Sequence, residues 1–214
     1  MKLGEIKIET LMLIFPSVSI EVDTDNDEAL NEALLDLKQD PNFADYLVGM
    51  TGAINRCFAS LEGRGVLPTT GVTVKKEQCK KVGDNWLKLD ISSLVPEIAQ
   101  IEHIAVEKNC LYIPRHDYLR ESATTILFKD IANEYTLIYT PKIKRIKNIT
   151  SAQEVIGLPD EIACLIPYYL KSELVRTDDS SEASSAREQY ERGIMELVSY
   201  REGYQSSVDS VYEM

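Results

Sequence analysis

The sequence predicts an α+β protein: a helical bundle built from the N- and C-terminal segments, holding an inserted antiparallel β subdomain. Three observations predict it. Apolar residues recur at spacings of three and four over residues 1–64 and again from 159, which is the helical period. From about 69 to 147 the period drops to two, and turn residues separate short apolar runs. The chain of 214 residues is 44 % hydrophobic and 27 % charged, enough to bury a core without disulfides. The boundaries read from these shifts are 1–68 for the N-terminal helices, 69–147 for the β insertion, 148–203 for the C-terminal helices and 204–214 for a flexible tail.

Each element has a local reason. Leu3, Ile6, Thr10, Leu13 and Ile14 fall roughly on one helical face, and Pro16 stops that helix. Asp25 or Asn26 can cap a second helix carrying Ala29, Leu30, Ala33, Leu34 and Leu37. Asp40 caps a third, with Pro41 at its first position and Tyr46, Leu47, Met50, Ile54, Cys57, Phe58 and Leu61 following. Gly49 and Gly52 inside it point to close packing, and Gly63 and Gly65 close it. In the insertion, Val72 and Val74 alternate with polar neighbours, Gly83-Asp84-Asn85 is a turn, and Leu87, Leu89 and Ile91 alternate after it. Residues 101–106 and 110–113 read as strands joined at Asn109, and residues 125–129 and 135–139 as a hairpin turning at Ala132-Asn133-Glu134. That makes five or six strands, with Trp86 at the surface or at the joint with the helices. Leu158-Pro159-Asp160-Glu161 starts a helix whose stripe is Ile162, Leu165, Ile166, Tyr169 and Leu170, and Pro167 is expected to kink it. Ser180 or Ser181 caps the last helix, marked by Ala183, Ala186, Tyr190, Ile194, Leu197 and Val198, and its periodicity stops after Gly203.

Charge and motifs exclude more than they assign. There are 35 acidic against 23 basic residues, a net of −12, which disfavours a general nucleic-acid binder or an anionic membrane surface as partner. The start lacks the basic-then-apolar order of a signal peptide, and no apolar run approaches the roughly 18 residues of a membrane span. Cys57, Cys79, Cys110 and Cys164 are spaced by 22, 31 and 54, which reads as free thiols. The two histidines, His103 and His116, have no cysteine pair near them and match no metal-ligand spacing, so a structural role is expected. Asp23, Asp25 and Asp27 imitate the start of a calcium loop, but the sixth position holds Glu28 instead of glycine and the twelfth Leu34 instead of glutamate. An acidic helix start explains them better. Cys57 beside Arg56 has no histidine near it in sequence and reads as a small buried residue. No nucleophile elbow and no glycine-rich phosphate loop is present. No cofactor, metal or catalytic residue is therefore assigned, and an enzyme is not expected.

The charge is unevenly distributed. Residues 21–45 carry nine acids against Lys38, and residues 178–214 carry nine against three arginines. Lys75, Lys76, Lys80 and Lys81 cluster in the insertion, and Lys142, Lys144, Arg145 and Lys147 cluster at its end. These are solvated faces, or the basic β unit and the acidic helical part face different partners, or neighbouring copies pair acid against base.

The layout resembles the head-to-tail adaptor (connector) proteins of tailed bacteriophages. The residues carrying the resemblance are Tyr139-Thr140-Pro141 closing the insertion, the Leu158-Pro159-Asp160-Glu161 helix start, Ile166-Pro167-Tyr168-Tyr169, and Ala186-Arg187-Glu188-Gln189-Tyr190-Glu191-Arg192 in the last helix. The long β insertion departs from the smallest, mostly helical adaptors. The resemblance implies a structural virion protein of the neck, made in the host cytoplasm. It implies a homo-oligomeric ring, usually of twelve, between a portal protein and a downstream tail or nozzle protein. Genomic DNA would pass through that ring without sequence-specific binding. Val208, Val211 and Tyr212 have side chains suited to ordering the tail on a neighbour, for example as a strand added to the portal, and Lys142, Lys144, Arg145 and Lys147 form a second candidate contact. Two other classes fit the sequence: another virion ring component, such as a tail-completion or tail-terminator protein with less helix, and a small cytosolic enzyme with a dispersed site at His116, Asp117 and Glu121.

Overall fold

A computed structural model describes residues 1–212 apart from 19, 24, 25, 94–96, 109, 110 and 149, and side chains except additionally at 93, 108, 111, 112 and 201–212. The chain is α+β. Helices from both ends pack together, and two antiparallel four-stranded sheets are inserted between them in sequence. The two compact units are Met1–Val66 with Ile143–Met214, and Leu67–Lys142.

The helical unit begins with α1 (Leu3–Ile14), which buries residues nearly all round, including Leu3, Ile6, Ile8 and Leu11. Its one buried hydroxyl, on Thr10, donates back to the Ile6 carbonyl at 2.6 Å, so it carries no unmet polar group inward. Helix α2 (Asp27–Gln39) is capped by Asn26, whose side chain accepts from the Glu28 and Ala29 amides. Helix α3 (Pro41–Glu62) is capped by Asp40 and closed at Gly63, as its sequence signals require. Gly49 lies against Leu174, where a Cβ would come within 2.9 Å of the leucine methyl, which is the close approach its sequence position suggested.

The C-terminal helices differ from expectation at three points. Pro167 does not kink one helix; the chain breaks into α4 (Asp160–Ala163) and α5 (Ile166–Leu174), and Pro167 sits in the first turn of the second, where its missing N–H costs nothing. The last helix, α6 (Ser180–Tyr212), is capped by Asp179, whose carboxylate accepts from the Ser181 and Glu182 amides at 2.9 Å, rather than by Ser180 or Ser181. It also continues through Gly203, because one glycine lowers helix propensity without ending an otherwise compatible run.

The β unit has eight strands where five or six were expected. One sheet has the order β1 (Thr70–Lys75), β8 (Glu134–Pro141), β4 (Ile98–Lys108), β5 (Leu111–Arg115). The other has β2 (Lys80–Val82), β3 (Trp86–Asp90), β7 (Thr125–Lys129), β6 (Tyr118–Arg120). The two added strands are short, and their side chains do not alternate clearly. Residues 125–139 do not form a hairpin: β7 pairs with β3 and β6, and β8 pairs with β1 and β4. The link from Asp130 to Asn133 is an arch that carries the chain from one sheet to the other. Tyr135 holds it in place. Its hydroxyl accepts the Ile131 and Ala132 amides at 2.9 Å and donates to the Lys129 carbonyl at 3.3 Å. Its ring meets Phe128 of β7 edge-on, centroids 4.8 Å apart. Burying both Phe128 and Tyr135 in the shared core with Leu87, Leu89, Ile104, Ile126 and Leu137 requires them to face each other, which in-register pairing within one sheet would not give. Trp86 is half-buried on β3, pairing with Val82 and Lys129. Asn109, proposed as a turn residue, lies outside the described residues.

Candidate interaction surfaces

The resembling segments assemble the core of the helical unit. Ile166 and Leu170 are fully buried on α5, and Tyr169 meets Tyr190 of α6 edge-on with centroids 5.1 Å apart. Arg187, one turn before Tyr190, places its guanidinium 4.8 Å from the Tyr169 ring centre and 5.5 Å from that of Tyr190. The same guanidinium donates to Glu191 at 3.0 Å and lies 4.0 Å from Glu173. Arg64, just after α3, clamps Glu191 through both nitrogens, and Arg56 donates to Glu173 at 3.1 Å. Three helical segments are thus tied by alternating charges around a tyrosine pair. The clamp on Glu191, Arg64 first, holds its carboxyl below the usual glutamate range. Cys57 is fully buried beneath this cluster, its sulfur 4.0 Å from the Tyr190 hydroxyl, and burial pushes its thiol up to about 12. It is a packing residue and not a nucleophile at neutral pH.

The basic strip proposed as a contact does not act as one free surface. Lys144 pairs with Glu154 at 2.6 Å, and Arg145 pairs with Glu62 of α3 at 2.7 Å. The Ile143 amide donates to Glu62, and Asn55 exchanges two hydrogen bonds with the Ile146 backbone. These bonds brace the returning chain against α3, so Lys144, Arg145 and Lys147 belong to the helical unit while Lys142 ends the β unit. Among the described residues, the ammonium groups of Lys142 and Lys147 are exposed and without a partner. Val208, Val211 and Tyr212 fall within α6, and their side chains lie outside the described set. In the other cluster, Lys76 is held by Asp130 at 2.6 Å, while Lys80 and Lys81 are exposed on β2.

The residues of the dispersed-site alternative are engaged separately. Asp117 accepts two bonds from Arg115, at 3.1 and 3.0 Å, and lies 3.3 Å from Lys129. The Arg115 bond draws its carboxyl down to about 2, so it is a fixed anion and a poor base. Glu121 pairs with Lys88. His116 meets neither carboxylate by a hydrogen bond among the described residues; it lies beside His103, ring centres 5.7 Å apart, because the β4–β5 register that pairs Ile104 with Arg115 brings the two histidines opposite. Among the described residues no group of three or more His, Cys, Asp or Glu is placed to hold a metal ion, and no helix is long and apolar enough to cross a membrane.

One surface was not visible in the sequence. A cleft of about 590 Å³ opens among α1, α2, α3 and the segment before α4. Leu34, Leu35, Leu47 and Val48 give it apolar walls, and Lys7 and Lys38 both line it. Leu35 is 59 % exposed and Val48 73 %. Lys7 is half-buried, and burial followed by the neighbouring Lys38 charge lowers its affinity for a proton. Neither ammonium has a partner among the described residues. The only sequence signal was Lys38 standing alone among nine acids in residues 21–45. No protein-family model matches the chain, and no curated protein matches it.

Proposed function

We propose that the chain is a structural subunit of a tailed-bacteriophage neck: a head-to-tail adaptor that forms a ring, of about twelve copies by resemblance, between the portal and the downstream tail or nozzle protein. The observation that carries the reading is the joint use of the two resembling segments. Ile166-Pro167-Tyr168-Tyr169 and the Ala186–Arg192 stretch are separate in sequence, yet Tyr169, Arg187 and Tyr190 form one packed cluster in a helical unit built from both ends of the chain. Chance apolar patterning would not require these positions to meet.

The charge fits the role. A net of −12 is compatible with a ring through which a polyanion passes, because like charge on the wall would keep the duplex from adhering. Helix content a little over two fifths of the chain leans toward an adaptor over a tail-terminator or tail-completion protein, the second virion reading. Lys142 and Lys147, unpaired among the described residues, and the end of α6 are the contact residues this reading retains. The test is co-sedimentation of the purified chain with the portal ring of the same virus. Stoichiometric capture at the portal is expected, and no capture in any salt would remove the adaptor reading.

A further inference from the structure

Building on the reading of the chain as a self-assembling subunit, we propose that the Lys7–Lys38 cleft receives the end of α6 from a second copy of the chain. The cleft has the two features of a helix-receiving groove: apolar walls of Leu34, Leu35, Leu47 and Val48, two of them exposed, and a pair of cations with no acidic partner among the described residues. Helix α2, which forms one wall, buries only Leu30 fully, so its remaining apolar positions are incompletely covered. Two ammonium groups brought together, one of them half-buried, are electrostatically costly until an anion joins them.

The end of α6 has the matching chemistry. Residues 204–214 carry Asp209 and Glu213 and no lysine or arginine. Tyr204, Val208, Val211 and Tyr212 are spaced by four, three and one, the anchor spacing of a helix laid in a groove. The backbone through Tyr212 is helical, which favours that mode over an added β-strand. The last fully buried residue of α6 among those described is Ile194, and at about 1.5 Å per residue the helix continues about 27 Å beyond it. A continuous helix of that length beyond its last fully buried described residue gives this segment the reach to dock on another copy.

The test uses a fluorescein-labelled peptide of residues 201–214 and the full chain, diluted until the sedimenting species is a single chain. Saturable anisotropy is expected. Lys38→Glu, an exposed substitution, should weaken binding about tenfold, as should Leu35→Asp. A peptide carrying Asp209→Lys and Glu213→Lys should recover most of that loss on the Lys38→Glu chain, which a mere packing defect would not allow. Circular dichroism of each variant checks that it is folded. No saturation up to about 1 mM, or binding indifferent to both Lys38→Glu and Leu35→Asp, overturns the proposal. A ring that forms while the peptide fails to bind would sink the cleft contact and leave the adaptor reading standing. Peptide binding by a chain that self-associates but is not captured by the portal would support the cleft contact and sink the adaptor reading.

Discussion

Replacing Tyr135 with Phe isolates the arch that distinguishes this β unit from a simple hairpin. The phenyl ring remains against Phe128, so the core contact at 4.8 Å is kept and only the hydroxyl is lost. That hydroxyl accepts two backbone amides at 2.9 Å and makes a longer bond at 3.3 Å. A net hydrogen bond is worth about 1 kcal/mol. Ile131 is 52 % exposed, so water can reach one of the freed amides and the cost stays at the low end for that bond. The expected loss is about 2 kcal/mol. The assay follows from composition: Trp86 is the only tryptophan and lies in β3, so its fluorescence during urea unfolding reports the β unit alone. With a slope of about 2 kcal/mol per molar, the midpoint should fall by about 1 M. A midpoint unchanged within error would mean that the hydroxyl does not hold the crossing, and the account of why β7 and β8 separate would fail.

Three further outcomes are expected. Gly193→Ala should destabilise the helical unit, because a Cβ there lies 2.5 Å from one Leu165 methyl and 3.0 Å from the other; the roughly 1 kcal/mol gained in helix propensity is outweighed by about 1–3 kcal/mol of overpacking. A melting temperature by circular dichroism that is unchanged or higher would contradict it. Asp117 is ionised more readily folded, at about 2, than in an unfolded chain, at about 4. Its stabilising contribution is therefore complete above about pH 4 and is lost as the pH falls toward 2; Asp117→Asn should flatten that part of the Trp86 acid titration, and an identical acid limb in the variant would refute the link. Deleting residues 204–214 should leave the melting of both units unchanged, since α6 has its last fully buried described residue at Ile194, while weakening association with neighbouring chains or the portal. Undiminished association would show that the contact lies elsewhere.

The limits of α2 and α3 were legible because single residues impose them. Asn26 and Asp40 supply cap oxygens, Pro41 fits only a first turn, and Gly63 ends α3, all as local chemistry demands. Strand pairing was not legible in the same way. The run from Thr125 to Tyr139 satisfies a hairpin pattern locally, and only the need to bury Phe128 against Tyr135 sends its halves to different sheets. Pro167 was ambiguous for a related reason: a proline reads equally as a kink or a start until the preceding turn is seen to end at Ala163. The candidate surfaces were less visible still. Lys144 and Arg145 read as free charge, but their partners Glu154 and Glu62 are chosen by the fold. Lys7 and Lys38 lie 31 positions apart, and nothing short of packing α1 beside α2 brings them to one cleft. His103 and His116 met because of strand register, not spacing.

The mass of the intact chain in solution, measured by sedimentation over a range of concentrations alone and with the portal ring of the same virus, tests the central claim most directly. At 24.2 kDa per chain, the adaptor account predicts a closed species of about 290 kDa, free or on the portal. A 24.2 kDa species at every concentration, with no shift when the portal is added, would contradict it.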